Sequence, residues 1–130
     1  MQRVRGIGGF FFKAVDPKAL SAWYRDALGL GVEAWGGAFF PWESLKTSDG
    51  AGTVWSPFAQ DTTYFAPSEK PFMLNFVVDD LDAMLTQAKA AEAVVEDKIT
   101  DDDNGRFGWL MDPEGNRIEL WQPRQPSSSP

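Results

Sequence analysis

Two stretches of the chain space their apolar residues like amphipathic helices, and each begins with a residue suited to cap a helix. In the first stretch, Asp16 is placed as the cap, Pro17 takes the first helical position and Gly29 is placed to end the helix. The second stretch begins at Asp80. The pattern therefore predicts two helices, whose apolar faces carry Leu20, Trp23, Ala27 and Leu28 in the first and Leu81, Met84, Leu85, Ala88 and Ala91 in the second.

Each predicted helix follows an extended apolar run, and the two strand–helix units repeat along the chain. Phe12 and Asp16 of the first unit correspond to Phe76 and Asp80 of the second, 64 positions later. After each helix come two more apolar segments, with a turn that contains glycine between them. Residues 36–42 and 52–58 in the first half therefore correspond to residues 105–111 and 116–122 in the second.

This repeat predicts two β-α-β-β-β modules within one domain that covers residues 1–123. The first module spans about 4–60 and the second about 70–123. The tail, residues 124–130, is rich in serine and proline and is predicted to be disordered. The alternative is that the two strand–helix units resemble each other by chance.

Three segments carry a resemblance to a known family. They are ALSAWYRDALGLGVE (19–33), NFVVDDLDAMLTQAKAA (75–91) and DPEGNRIELWQP (112–123). Together, and in this order, they resemble the vicinal oxygen chelate superfamily, which includes glyoxalase I, bleomycin-resistance proteins, fosfomycin-resistance enzymes and extradiol dioxygenases. The resemblance covers about residues 4–123. It implies an α+β fold in which two βαβββ modules form a curled mixed sheet with a cup, usually completed in a homodimer.

The predicted strands have one apolar face and one mixed face, because side chains alternate along a strand. The apolar face should pack under the helices, whereas the mixed face is predicted to line a ligand cup. The alternative is that the mixed face lies open to solvent. The candidate ligand-binding residues are Phe11, Lys13, Trp55, Met73, Asn75, Arg117 and Trp121, and they surround the carboxylate of Glu119.

The resemblance also implies where a metal would bind, and the residues there do not suit one. In metal-using relatives, four strand positions supply histidine or glutamate ligands. Those positions correspond here to Gly9, Trp55, Met73 and Glu119, and the chain contains no histidine and no cysteine. Zn²⁺, Mn²⁺ and Fe²⁺ need several convergent donor atoms. We therefore expect no metal ligand set and no cofactor.

Glu119 remains the candidate for chemistry, and three roles stay open for it. If Trp55, Met73 and Trp121 enclose its carboxylate, Glu119 would be suited to act as a general base. It would otherwise recognise a cationic or hydrogen-bonding ligand. In the third role, Lys13 or Arg117 would neutralise it in a structural ion pair.

Composition narrows the possible partners. The chain has 130 residues, a net charge of −7 and a pI near 4.5, which disfavour a nucleic-acid-binding surface. The acidic segment 96–105 is predicted to form solvated turns, with attraction of cationic ligands as the alternative. The apolar start of the chain is too short and interrupted for a signal peptide or membrane span, so a cytoplasmic protein is expected.

These observations leave two functions from different classes. The first is a protein similar to the bleomycin-resistance branch, which binds a small cationic or aromatic molecule in an aromatic-lined cup without a catalytic metal. Six tryptophans and ten phenylalanines supply the aromatic surface. The alternative is a metal-independent, glyoxalase-like lyase or isomerase with Glu119 as its base. The expected partners are a small-molecule ligand and a second copy of the chain, with neither nucleic acid nor membrane.

Overall fold

The computed structural model describes residues 1–3, 7, 9–45 and 51–124. Within these residues the chain forms two α-helices, one short 3-10 helix and four strands. In chain order they are α1 (Pro17–Leu28), the 3-10 helix (Trp42–Leu45), β1 (Leu74–Val77), α2 (Leu81–Ala90), β2 (Val94–Asp102), β3 (Gly105–Met111) and β4 (Arg117–Pro123).

Both helices begin where the sequence predicts. The Asp16 carboxylate accepts a hydrogen bond from the backbone N–H of Ala19, and the Asp80 carboxylate accepts one from the N–H of Ala83. These bonds satisfy amide groups that have no partner within the helix. Gly29 ends α1 in the left-handed conformation with φ of 69°, which glycine adopts without steric strain.

The four strands form one mixed sheet in the order β1-β4-β3-β2. Strand β1 runs parallel to β4, and the other two neighbouring pairs are antiparallel. The second half of the chain thus has the β-α-β-β-β order predicted for the second module. The sheet is curled but not closed, and the α+β class predicted from the sequence is confirmed.

One face of the sheet forms the core together with the two helices. Helix α2 packs on strands β2, β3 and β4, and α1 packs against α2. The close approach of α2 leaves little room at Gly108, where an added Cβ would lie 3.2 Å from a methyl group of Leu85. The largest fully buried side chains are Leu81, Leu110, Ile118 and Leu120. Their burial contributes about 1.5–3 kcal/mol each.

In the first half of the chain, the segments predicted as strands do not form strands. Residues 9–14 and 52–58 belong to no helix or strand, and the segment 36–42 contains a bend and the start of the 3-10 helix. Apolar alternation reports a tendency to form strands, but a strand also needs a neighbour to satisfy its backbone groups. Several large apolar side chains on these segments are exposed, among them Phe11, Phe39 and Trp55.

The prediction for the acidic segment is wrong over most of its length. Residues up to Asp102 belong to β2, and only the two residues before Gly105 form the turn that leads into β3. Strand β2 lies at the edge of the sheet, and its acidic side chains point to solvent over much of its length. Charged side chains of this kind protect a sheet edge from pairing with other chains. In the sequence, they also interrupt the alternation of apolar and polar residues that would predict a strand.

The ends of the chain lie partly outside the described residues. Of the predicted disordered tail, the structure describes Arg124 alone, whose guanidinium forms an ion pair with Asp101 and donates to the backbone oxygen of Asp102. The remainder, residues 125–130, falls outside the described part, as do residues 4–6 at the start of the first predicted module. No helix in the part of the chain described is long and apolar enough to cross a membrane.

The turn between β3 and β4 connects the two halves of the chain. The carboxylate of Glu114 accepts hydrogen bonds from the backbone N–H groups of Val15 (2.7 Å) and Asp16 (3.0 Å), directly before helix α1. Because Asp16 is also the cap of α1, this contact sets where the helix begins relative to the sheet. The DPEG segment therefore has a structural role.

We predict that Glu114→Ala lowers the free energy of unfolding by about 1–2 kcal/mol, since two backbone N–H groups lose their acceptor. Urea unfolding followed by circular dichroism measures the change. The matched control is Glu69→Ala, which removes an exposed carboxylate from the loop before β1 and should change stability by less than about 0.5 kcal/mol. Equal effects of the two substitutions would contradict the role of Glu114.

Candidate functional site

The face of the sheet opposite the helices carries a row of polar side chains centred on β4. The sheet register places Asn75 of β1 on one side of Glu119 and Trp109 of β3 on the other. Side chains that lie opposite each other on neighbouring strands are in contact range. The pairing of the strands therefore brings a carboxylate, an amide and an indole together.

Glu119 is buried, with 7% of its surface exposed, and its carboxylate accepts three hydrogen bonds. Oε1 accepts one from the side-chain amide of Asn75 at 2.7 Å. Oε2 accepts one from the Trp109 indole N–H at 2.9 Å and one from the Tyr64 hydroxyl at 2.5 Å. All three donors are neutral groups. They hold the carboxylate in place without neutralising its charge.

This geometry suits recognition of a donor better than proton abstraction. A carboxylate offers about four acceptor positions, and three of those on Glu119 are occupied. A general base must contact the proton that it removes, and the three hydrogen bonds to Glu119 already stabilise the charge that would attract that proton. A ligand that donates a hydrogen bond meets one remaining acceptor position on Oε1, or replaces an existing donor.

Arg117 lies two residues before Glu119 on the same face of β4, but it pairs with a different carboxylate. Its guanidinium makes two hydrogen bonds of 2.8 Å to Glu96 of β2 and one of 2.5 Å to the backbone oxygen of Tyr64. It also lies 5.0 Å from the centre of the Trp109 ring. The sequence left open an ion pair between Arg117 and Glu119, and the structure assigns this arginine to Glu96 instead.

Aromatic side chains continue the same face toward the end of β4. The Phe107 and Trp121 rings lie parallel with their centres 6.2 Å apart, and the Trp109 ring centre is 6.5 Å from that of Phe107. The indole N–H of Trp121 donates to the backbone oxygen of Asn104. Trp109 is buried, whereas Phe107 and Trp121 are half-buried and keep part of their ring surface accessible.

Lys98 adds a second cation to this face. Its ammonium group lies 5.5 Å from the centre of the Trp109 ring. Trp109 thus interacts with both Lys98 and Arg117, an arrangement in which the negative face of the ring attracts cations. The face around Glu119 therefore carries two acidic and two basic side chains, and one of the acidic ones, Glu96, is already paired.

Tyr64 reaches Glu119 from the segment that connects the two halves of the chain. The segment contains turns but no helix or strand around Tyr64, and 43% of this residue is exposed. Its ring stacks on Phe58, with centres 5.5 Å apart. Partial burial, followed by the hydrogen bond to Glu119, raises the pKa of the Tyr64 hydroxyl above its ordinary value. The hydroxyl therefore remains a hydrogen-bond donor at neutral pH.

Of the site residues predicted from the sequence, four lie on this face of the sheet, on β1 and β4. The other four do not lie on a strand of the described sheet. Met73 lies just before β1 and is half-buried, and Lys13 is exposed. Phe11 and Trp55 are 93% and 78% exposed on segments outside the sheet. The four on the sheet face are Asn75, Arg117, Glu119 and Trp121.

Sequence reasoning missed two of the three donors to Glu119. Trp109 was only one of many aromatic candidates for the cup wall, although the DPEG turn predicts a hairpin that pairs it with Glu119. Tyr64 carries no such signal, because it lies on a connecting segment whose path depends on tertiary contacts. Glu96 was hidden in the acidic segment that was predicted to be turns.

The donor set around Glu119 does not fit the metal that many relatives of this fold use. Within the described residues, no three histidine, cysteine, aspartate or glutamate side chains are grouped so that they could hold a metal ion. Oε2 of Glu119 is occupied by an indole N–H and a phenolic hydroxyl, and an indole N–H has no lone pair with which to bind a metal. We therefore derive no chemistry through a metal at this site.

Several solved structures are similar to the chain over part or most of its length. The antibiotic-binding protein TnmS3 from Streptomyces sp. CB03234 is 33% identical over 39% of this chain and 41% of its own, with a TM-score of 0.36. A member of the glyoxalase/bleomycin resistance protein/dioxygenase superfamily from Sphaerobacter thermophilus is 20% identical over 38% of this chain and 40% of its own, with a TM-score of 0.35. The chain thus spans about two fifths of the length of these two structures.

A third structure is similar over more of its length. It comes from the mobile metagenome of V. pseudocholerae, and it is 19% identical over 87% of this chain and 98% of its own, with a TM-score of 0.47. No curated protein matches the sequence at a significant level. The glyoxalase-like domain family matches residues 9–121, which is most of the chain. The chain therefore belongs to the glyoxalase-like domain family, within the vicinal oxygen chelate superfamily.

Proposed function

We propose that this protein binds a small aromatic molecule that carries a positive charge, on the sheet face around Glu119 and without a catalytic metal. One observation carries the proposal: Glu119 is a buried carboxylate whose hydrogen-bond partners in the described part of the chain are all neutral. A buried charge is stabilised most when it is paired. A cationic donor on a ligand would supply the pairing that the protein itself does not.

The aromatic part of the ligand would lie against the rings beside Glu119. Phe107 and Trp121 present parallel, half-buried rings, and the hydrogen bond from Trp121 to Asn104 keeps its indole in one orientation. Rings held in this way offer a flat apolar surface with little further loss of side-chain entropy on binding. Trp109 is less available, because Arg117 and Lys98 already occupy positions over its ring.

The proposal includes a homodimer of this chain in the cytoplasm. The modules at about 4–60 and 70–123 would then complete one cup between two copies, and the first-half segments predicted as strands would find strand partners there. What supports this is the exposure of large apolar side chains in the first half, among them Phe11, Val15 and Trp55. Large apolar side chains that are exposed in this number suggest an interaction site. Analytical ultracentrifugation measures the oligomeric state, and cell fractionation tests the compartment.

The alternative function is a metal-independent, glyoxalase-like lyase or isomerase in which Glu119 removes a proton. The burial of Glu119 suits a base, but both of its oxygens already accept hydrogen bonds. Binding without turnover therefore fits the geometry better. Turnover of an α-hydroxy or α-keto compound that survives a chelator and is lost in Glu119→Gln would favour the enzyme.

Benzamidine and benzamide are matched probes for the proposed binding, because they share shape and differ in charge. We predict that the benzamidinium cation binds more tightly than benzamide. Glu119→Gln should weaken benzamidinium binding about 10- to 100-fold, since a charge-assisted hydrogen bond contributes about 1.5–3 kcal/mol. Benzamide binding should change by less than about threefold. Chemical shifts of the tryptophan indole N–H groups, followed during titration, measure both affinities, with Trp109 as the reporter at the site.

The variant should remain folded, because glutamine keeps the shape of Glu119 and the Asn75 amide can rotate to present its oxygen to the new amide. Glu69→Gln, which changes an exposed carboxylate away from the sheet face, is the control and should leave both affinities unchanged. If wild-type protein binds the two probes equally well, or if Glu119→Gln binds benzamidinium as tightly as wild type does, the proposed role of the carboxylate is wrong.

A further inference from the structure

The three donors to Glu119 differ in how firmly the fold holds them. Trp109 and Asn75 lie on strands directly beside β4, so the hydrogen bonds of the sheet fix their positions. Trp109 is also 3% exposed. Tyr64 lies on a connecting segment, and 43% of it is exposed. The Asn75 side chain is exposed as well, but of the three donors Tyr64 is the one that does not belong to a strand of the sheet.

The backbone at Tyr64 is anchored although its side chain is accessible. Arg117 donates to the backbone oxygen of Tyr64, and the Ser68 hydroxyl donates to the backbone oxygen of Gly115 in the turn before β4. The segment is thus tied to β4 at Tyr64 itself, and to the turn before β4 at Ser68, four residues later. Rotation of the Tyr64 side chain away from Glu119 breaks one hydrogen bond, the stacking on Phe58, the edge contact with the Phe65 ring and the contact with the Arg117 guanidinium. The rest of the segment stays in place.

The position that the Tyr64 ring occupies already has the features of a site for a phenol. Its hydroxyl donates to Oε2 of Glu119 at 2.5 Å. One face of the ring stacks on Phe58, and the guanidinium of Arg117 lies 5.9 Å from the ring centre. An acceptor (Glu119), an apolar stacking partner (Phe58) and a cation (Arg117) together suit an aromatic ring that carries a hydroxyl group.

We propose that Tyr64 is a specificity-determining residue that occupies the ligand position until a ligand replaces it. The ligand class is aromatic compounds whose hydrogen-bond donor is attached directly to the ring, with phenols as the simplest members. Such a ligand takes the hydrogen bond to Glu119 and the stacking on Phe58 from Tyr64, whose side chain turns outward to solvent. This inference rests on the proposed binding at Glu119, and it adds a second position for an aromatic ring, on Phe58, together with the chemistry of the donor on that ring.

A phenol must therefore compete with Tyr64, whereas an aromatic compound without a donor gains nothing from its displacement. Phenol and anisole are suitable probes, because anisole keeps the ring and the oxygen of phenol but has no hydrogen-bond donor. Tyr64→Phe should bind phenol about tenfold more tightly than wild type does, since the competing hydrogen bond, worth about 1.4 kcal/mol, is absent. Anisole binding should change by less than about threefold. Indole N–H chemical shifts during titration give the four affinities.

The double variant Tyr64→Phe/Glu119→Gln separates this role from a structural one. If Tyr64 competes for Glu119, the gain for phenol falls to less than about threefold once the carboxylate is gone. Tyr64→Ala, which also removes the ring from Phe58, should bind phenol at least as tightly as Tyr64→Phe does. Circular dichroism confirms that each variant is folded.

The outcomes distinguish this inference from the proposed function. If Tyr64→Phe leaves phenol binding unchanged, or strengthens the binding of phenol and of anisole equally, the proposed role of Tyr64 is wrong. The proposed binding at Glu119 would still stand. If phenol, anisole and benzamidinium all fail to bind saturably to wild type and to Tyr64→Phe, both proposals fall.

Discussion

Replacement of Asp112 by alanine is expected to lower the free energy of unfolding by about 3–5 kcal/mol. Asp112 is buried in the turn after β3, where its carboxylate accepts four hydrogen bonds. The donors are the Tyr24 hydroxyl at 2.7 Å, the backbone N–H of Glu114, and the backbone and side-chain amides of Asn116. Alanine leaves these groups without an acceptor, and each buried unpaired donor costs about 1–3 kcal/mol.

A double-mutant cycle with Tyr24 tests the cause of this loss. Tyr24→Phe alone removes one donor and should cost about 1–2 kcal/mol. The double variant should cost less than the sum of the two single changes. In it, the Tyr24 hydroxyl that Asp112→Ala would leave unpaired is absent. Urea unfolding gives all three values. Additive effects, or a loss below about 1 kcal/mol for Asp112→Ala, would show that the network does not hold the turn.

The second large effect is expected at Arg117. Arg117→Met should lower the free energy of unfolding by about 2–4 kcal/mol, because it leaves Glu96 without its cation and the backbone oxygen of Tyr64 without its donor. Breaking a fully buried pair costs about 3–5 kcal/mol. The Glu96 side chain is 25% exposed and can regain some hydration. The loss of stability in Arg117→Met should therefore lie toward the lower end of the range for a fully buried pair.

The control for Arg117 is the double variant Arg117→Met/Glu96→Gln. It removes the charge left behind and should recover about 1–2 kcal/mol of the loss, as measured by urea unfolding. Arg117→Lys keeps the charge but cannot make the paired contact with both Glu96 oxygens, so an intermediate loss is expected. If Arg117→Met is as stable as wild type, the ion pair does not hold β2 and the Tyr64 segment against β4.

The helices and the second half of the sheet could be predicted because their signals are local. A capping aspartate, a proline at the first helical position and apolar residues at helical spacing act within a few residues of one another. Strands β3 and β4 were predictable for the same reason, since a short turn joins two alternating segments. Strand β2 was not, because its exposed acidic residues resemble those of a loop.

The site could be predicted only where strands determine it. Alternation along β4 correctly placed Arg117, Glu119 and Trp121 on one face, and the parallel partner strand added Asn75. The repeat also predicts that Trp55 belongs to the site, because it corresponds to Glu119. Within the described residues, the segment around Trp55 has no strand partner that would bring it to the site, and a correspondence in sequence does not supply one. Glu96, the carboxylate with which Arg117 pairs, lies where the register of β2 is irregular, between Val95 and Ile99, and no sequence pattern indicated that irregularity.

The sequence by itself determined the two helices, the fold family and the presence of a carboxylate in the middle of the last strand, because these follow from local propensity and alternation. Only the tertiary structure decided what surrounds that carboxylate. Asn75, Tyr64 and Trp109 lie 44, 55 and 10 residues from Glu119 along the chain. They meet at Glu119 through strand pairing and the packing of a connecting segment, interactions between residues distant in sequence that local patterns do not encode.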